Sequence, residues 1–223
     1  MKSVFACACM VLLTACGSGG PPPPDWETDA ADFIERYQKH ALRGENVLAE
    51  RYFQRAIEAT GGAGRIADTA QLWLVRCATR RAMLIDDTCA DYARLAAVEP
   101  DPAQDAYYRF LTLRWDTLDG SLLPQQHREL VSVSATARPA LLPGIDDPLA
   151  RLLDASLLVM RQEADAGTLG LATETASTQG WRQPLLTYLK LQQTRATSQG
   201  DTAESARLGL RIQLVEQSLL ASP

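Results

Sequence analysis

The chain has 223 residues, enough for one domain or one repeat array with a substantial core, and 22 basic against 27 acidic residues give it a formal charge of -5. That balance excludes a general binder of nucleic acids or other polyanions. With two histidines in all, His40 and His127, it also excludes a His-x-x-x-His zinc pair and any histidine-rich site.

The first element is the amino-terminal stretch, where Lys2 precedes an apolar run from Val4 to Ala15. This run is well short of the roughly 20 residues that span a bilayer as a helix, so it reads as a leader rather than an anchor. Leu13-Thr14-Ala15-Cys16 closes it with small residues before the cysteine, the layout of a secretory signal ending in a lipobox. Gly17-Ser18-Gly19-Gly20-Pro21-Pro22-Pro23-Pro24 follows and is expected to act as a part flexible, part polyproline spacer. In these residues the chain resembles bacterial lipoproteins. The resemblance implies cleavage between Ala15 and Cys16, diacylglycerol on the Cys16 sulfur and fatty acylation, as by palmitate, of the new amino terminus. Gly17, in place of the Asp that retains such proteins at the inner membrane, implies the outer membrane, periplasmic face. The expected division is therefore a signal peptide at 1–15, a lipidated cysteine and tether at 16–27, and a helical domain at 28–223 with a sub-boundary near 138–147. Loss of Lys2 with the leader takes the mature charge to -6.

Beyond the tether the apolar spacing predicts helices throughout, and no window of useful length alternates with period two. The first runs from about Asp29 to Leu42 and stops at Gly44. The second, about Asn46 to Thr60, ends at Gly61-Gly62, and the third, about Arg65 to Ala82, is apolar nearly all round. Thr88 is expected to cap a fourth that ends before Pro100. Asp101-Pro102 starts a fifth that carries Trp115 and runs to Gly120, and Ser121 to Ala137 forms a sixth. After the proline-rich connector Pro139 to Gly144, Asp147-Pro148 opens a seventh with Gly167 behind it. An eighth lies within Leu169 to Thr178, a ninth runs from Pro184 to about Thr197, and Asp201 with Glu204 forms a capping box for a tenth reaching about Leu220. The expected fold class is all-α, about ten helices in antiparallel hairpins.

Gly44-Glu45-x-x-x-Ala49-x-x-x-Phe53-x-x-Ala56 carries a second resemblance. It is similar to the turn and second helix of a tetratricopeptide repeat: Gly44 in the tight turn, small Ala49 and Ala56 where helices cross closely, and bulky Phe53 between them. Gly200-Asp201 with Ser205, preceded by Leu185, Tyr188 and Leu189, is a partial second match. The resemblance implies a tetratricopeptide-like α-solenoid, carried by two hairpins and by architecture alone between them.

Cys7 and Cys9 leave with the leader and Cys16 carries lipid, so Cys77 and Cys89 remain as an even pair for an oxidising compartment. A bridge needs their Cα atoms within ~7 Å. It fails if the third helix continues to Ile85, and works if that helix stops near Arg81 and Met83 to Asp87 runs back alongside it; the bridge is the expectation.

Catalytic motifs are few. His127-Arg128-Glu129 has the first half of a zinc deaminase signature with no Pro-Cys-x-x-Cys after it, and reads as a solvated helix face. Gly62-Ala63-Gly64-x-x-Ala67 imitates a dinucleotide fingerprint but follows a helix, so it reads as a helix-terminating loop. Asp86-Asp87 and Asp146-Asp147 precede helix starts and read as capping rather than cation sites. Arg76, Arg80 and Arg81 form a basic run read as solvated, with an acidic partner patch as the sharper alternative.

No catalytic residue, metal or cofactor is assigned from these residues. The expected role is a lipid-anchored interaction scaffold or assembly factor for an envelope complex, with a protein partner, the membrane held through lipid, and no nucleic acid. The alternatives are an enzyme acting on cell-wall glycan, which needs two carboxylates across a cleft at about 5 to 9.5 Å, and a carrier of apolar ligands, which needs a Leu-lined cavity.

Overall fold

The computed structural model describes residues 22–220. The lipobox, Cys16 and the glycine part of the tether lie outside them.

Ten α-helices account for the regular structure, and no strand occurs among the described residues. They are α1 (Asp25–Arg43), α2 (Asn46–Gly62), α3 (Ile66–Ala82), α4 (Ala90–Ala96), α5 (Pro102–Leu111), α6 (Gln125–Ser132), α7 (Pro148–Met160), α8 (Ala166–Thr178), α9 (Arg182–Ser198) and α10 (Thr202–Leu220). Two 3-10 segments, Gly120–Leu122 and Arg138–Gly144, flank α6.

The starts are set by short polar side chains. Asp101, Asp147 and Asp201 accept from the backbone N–H groups of Gln104, Ala150 and Glu204 at 2.8, 2.6 and 2.9 Å, satisfying donors that the first turn leaves orphaned. The Glu204 side chain pairs with Arg207. The reciprocal capping box lies instead on α8, between Asp165 and Thr168, and sets its start at Ala166. Cys89, in left-handed conformation, occupies the N-cap of α4 without a side-chain cap, so Thr88 does not have the expected role.

The ends are closed by residues with positive φ. After α1, α2, α8 and α9 the residue is glycine: Gly44, Gly64, Gly180 and Gly200. After α3, α5 and α7 it is Leu84, Leu113 and Gln162, and each sits in a paired closure such as Leu113 N–H to Phe110 C=O and Arg114 N–H to Arg109 C=O. The fifth helix therefore ends at Leu111, well short of Gly120. Trp115 lies in the turn beyond, its indole N–H donating to the Phe110 carbonyl at 2.8 Å. The sixth is also shorter than expected: Pro124 holds Leu123 extended and α6 starts only at Gln125.

Packing starts from α1 and α2, an antiparallel hairpin. Ala49 and Ala56 are buried in it, and Phe53 meets Tyr37 with ring centroids at 5.3 Å and Trp73 of α3 at 4.7 Å. Small residues let the helices approach while the large ring fills the gap. Helix α7 is the centre of the molecule: every residue from Leu152 to Leu158 is buried, and α3, α6 and α8 pack on it. One buried cluster runs from Tyr37 to Tyr188, and the segment near 138–147 contributes Leu142 and Ile145 to it rather than interrupting it. A smaller cluster of Leu189, Ala196, Leu208 and Ile212 joins α9 to α10.

The first and last hairpins meet. Helix α1 packs on α9, Arg182 pairs with Glu45 at 2.9 Å, and a Cβ on Gly44 would stand 2.4 Å from Leu219. No described helix is long and apolar enough to cross a membrane.

Candidate functional site

Leu123, His127 and Leu130 recur at spacings of four and three, and all three are buried. Contrary to the solvated face that the His127-Arg128-Glu129 run suggests, His127 is 2% exposed. Its ring lies against Phe110 and Tyr107, with centroids at 4.9 and 5.9 Å. Across from it, Asp154 comes from the middle of α7 and is 0% exposed. The imidazole Nδ1 and Asp154 Oδ1 are 2.7 Å apart. The second carboxylate oxygen, Oδ2, has no hydrogen-bond partner. Burial pushes the Asp154 carboxyl above the usual carboxylate range, and the hydrogen bond with His127 pulls part of the way back. Burial also raises the Tyr107 hydroxyl beside it.

Two cavities flank the pair. The larger, about 600 Å³, opens between α6, the 138–144 segment and α7, and its polar lining is Gln125, Gln126, Glu129, Asp146, Asp147 and Asp154. The smaller, about 140 Å³, is lined by His127 together with Tyr107, Thr79 and Gln38. Gln126 and Asp147 border both. No basic side chain lines the larger cleft. Arg151 is tied to its wall only through two hydrogen bonds to the Ile145 carbonyl, at 2.9 and 2.6 Å.

A cationic clamp fixes the neighbouring wall. Glu163 accepts from Arg138 at 2.7 Å and from Arg161 at 2.8 Å, and both guanidinium groups lie over the Trp115 ring, at 4.8 and 4.3 Å from its centroid. Arg138 also donates to the Leu130 carbonyl, which ties the 138–144 segment to α6. These contacts tie the 138–144 segment to α6 and to the chain beyond α7.

The expected Cys77–Cys89 bond is present, with Cα atoms 5.5 Å apart. Its geometric condition is met because α3 stops at Ala82 and Leu84, at φ 59°, turns the chain back. The basic run beside it is only partly solvated: Arg81 is buried, Arg80 pairs with Asp87 at 2.6 Å, and Arg76 pairs with Glu50 at 3.0 Å while lying over Phe53. Asp86 pairs with Arg81, and Asp87 accepts from the Cys89 N–H as well as from Arg80, so these two aspartates hold the turn. Asp147 caps α7, as expected, and Gly64 ends α2. His40 donates to Glu45 beside the α1–α2 turn. Among the described residues, Cys77, Asp87 and Cys89 alone form a group of three potential metal ligands within 4.8 Å of one another, and both sulfurs there are in the disulfide.

Comparison with protein-family models, with curated proteins and with solved structures finds no match to this chain.

Proposed function

We propose that this chain is an outer-membrane lipoprotein whose helical domain, held off the membrane by the Gly/Pro-rich tether, docks a segment of another envelope protein in the acidic cleft between α6 and α7. The observation that carries the reading is the cleft itself: a concave site of about 600 Å³ with an all-acidic charge lining. Docking there requires no chemistry from the site, only complementary charge and shape. A tetratricopeptide-like origin is supported by the buried Ala49, Phe53 and Ala56. The first and last hairpins meet, with Arg182 paired to Glu45.

A second reading, a glycan-acting enzyme, is favoured by one observation: several carboxylates share a cleft, and one of them, Asp154, is pushed toward the protonated form by burial. Release of soluble fragments from purified cell wall by the wild type but not by Asp154→Asn would favour this reading over docking.

Anchoring has its own test. Cys16→Ser is expected to move the protein from the membrane pellet to the soluble periplasmic fraction, because the anchor is entirely lipid. Continued pelleting after a salt wash would overturn it.

A further inference from the structure

We infer that the cleft between α6 and α7 recognises an organic cation, the ammonium or guanidinium group of a basic side chain, seated against Asp154. The inference deepens the docking reading and rests on it only for the source of the cation, a protein segment rather than a free amine.

Two independent observations point to such a ligand. The charged lining of the cleft is Glu129, Asp146, Asp147 and Asp154, with the side-chain amides of Gln125 and Gln126 beside them, so its field favours a positive group. Asp154, fully buried within that lining, keeps Oδ2 without any partner. A buried acceptor left unsatisfied is costly, and an entering N–H group removes that cost while Oδ1 stays on His127. A cation beside the carboxyl also favours its ionised form, against the effect of burial.

The same geometry selects an organic cation over a metal ion. No three of the cleft's carboxylates, among the described residues, bring oxygen atoms within 4.8 Å of one another, as chelation of a single ion requires. One oxygen of Asp147 is committed to the Ala150 N–H. An ammonium or guanidinium group, with three to five divergent donors, can reach acceptors spread over the wall of a cleft this size.

The two histidines make the test simple, since His127 touches Asp154 and His40 lies elsewhere, against Glu45 and Tyr52. The full mature chain carrying Cys16→Ser is titrated with Nα-acetyl-lysine methylamide at low salt while the imidazole resonances are followed by NMR. The norleucine analogue, which keeps the four-carbon side chain without the ammonium group, is the control. The His127 signals are expected to move saturably, with half-effect in the millimolar range typical of one charged side chain, while those of His40 stay in place and the norleucine analogue moves neither. Asp154→Asn is expected to abolish the response. Because that variant alters a buried pair, the exposed double variant Glu129→Gln/Asp146→Asn is measured as well. It should keep the free-state His127 signals and weaken binding about threefold or more, as loss of two partly screened charges requires.

No His127 response to the lysine analogue at tens of millimolar, an equal response to the norleucine analogue, wild-type affinity in the double variant, or displacement of the lysine analogue by calcium chloride with the same His127 shift would each overturn the inference. A partner crosslinked at the cleft in cells, without any response to the lysine analogue, would sink the cation site and leave the docking reading standing. A lysine response without any crosslinked partner would do the reverse.

Discussion

At the turn between α1 and α2, Glu45 accepts from His40 and from Arg182, 137 residues away in sequence. The hydrogen bond with His40 holds its carboxyl below the usual range, helped by the Arg182 charge and opposed by partial burial. A depressed carboxylate contributes stability that is complete above its unfolded value of about 4.3 and is lost as pH falls through the folded value. Glu45→Gln is therefore expected to cost about 1 kcal/mol at pH 7, since its partners remain part-solvated. Urea titrations of the two proteins should converge as pH falls below about 4, and a constant gap down to pH 3 would contradict the assignment. The His127–Asp154 pair shows what residue patterns leave unread. The spacing of Leu123, His127 and Leu130 carries a signal for a buried histidine, but the flanking Arg128 and Glu129 mask it in a short segment. Asp154 sits alone in an apolar stripe, and nothing local links two residues 27 apart.

Among the elements, the starts at Asp101, Asp147 and Asp201 were legible from an aspartate before the first turn, while Asp165, which caps α8, was not read as a start. Leu113 supplies positive φ without a glycine, which is why the fifth helix reads too long from sequence. Pro124 was a legible stop, and its restriction of the preceding residue outweighs the helical spacing around it. Gln162 offers the cleanest check, because it is exposed and stands at φ 60°. Gln162→Gly is expected to stabilise the fold by roughly 0.5 to 1 kcal/mol by relieving the left-handed strain. An unchanged or lower urea midpoint would show that the strain is absent. For the α3–α4 corner, closure of a 12-residue separation by the disulfide is worth on the order of 3 kcal/mol through the unfolded chain. The Cys77→Ala/Cys89→Ala variant should melt lower by about 6 to 12 °C for a domain of this size. Two titratable thiols in freshly isolated, alkylation-protected wild type would refute the bond.

At the scale of the whole molecule, the all-α class and the order of ten helices follow from apolar period and caps alone. The closure of α1 on α9 does not, because it depends on Glu45, Arg182, Gly44 and Leu219 meeting across the full length of the chain. That closure, together with α7 buried at the centre, frames an α6–α7 cleft whose charged lining is all acidic. On the docking proposal, a segment of an envelope protein occupies that cleft. The most direct measurement places a photo-crosslinking residue at Gln125, on the cleft, and separately at Arg207, on the exposed face of α10, in the otherwise native full-length chain in living cells. A discrete crosslinked protein from position 125, absent from position 207 and lost with Glu129→Gln/Asp146→Asn, is the expected result. No adduct at 125, or the same adducts from both positions irrespective of the cleft charges, would contradict the claim.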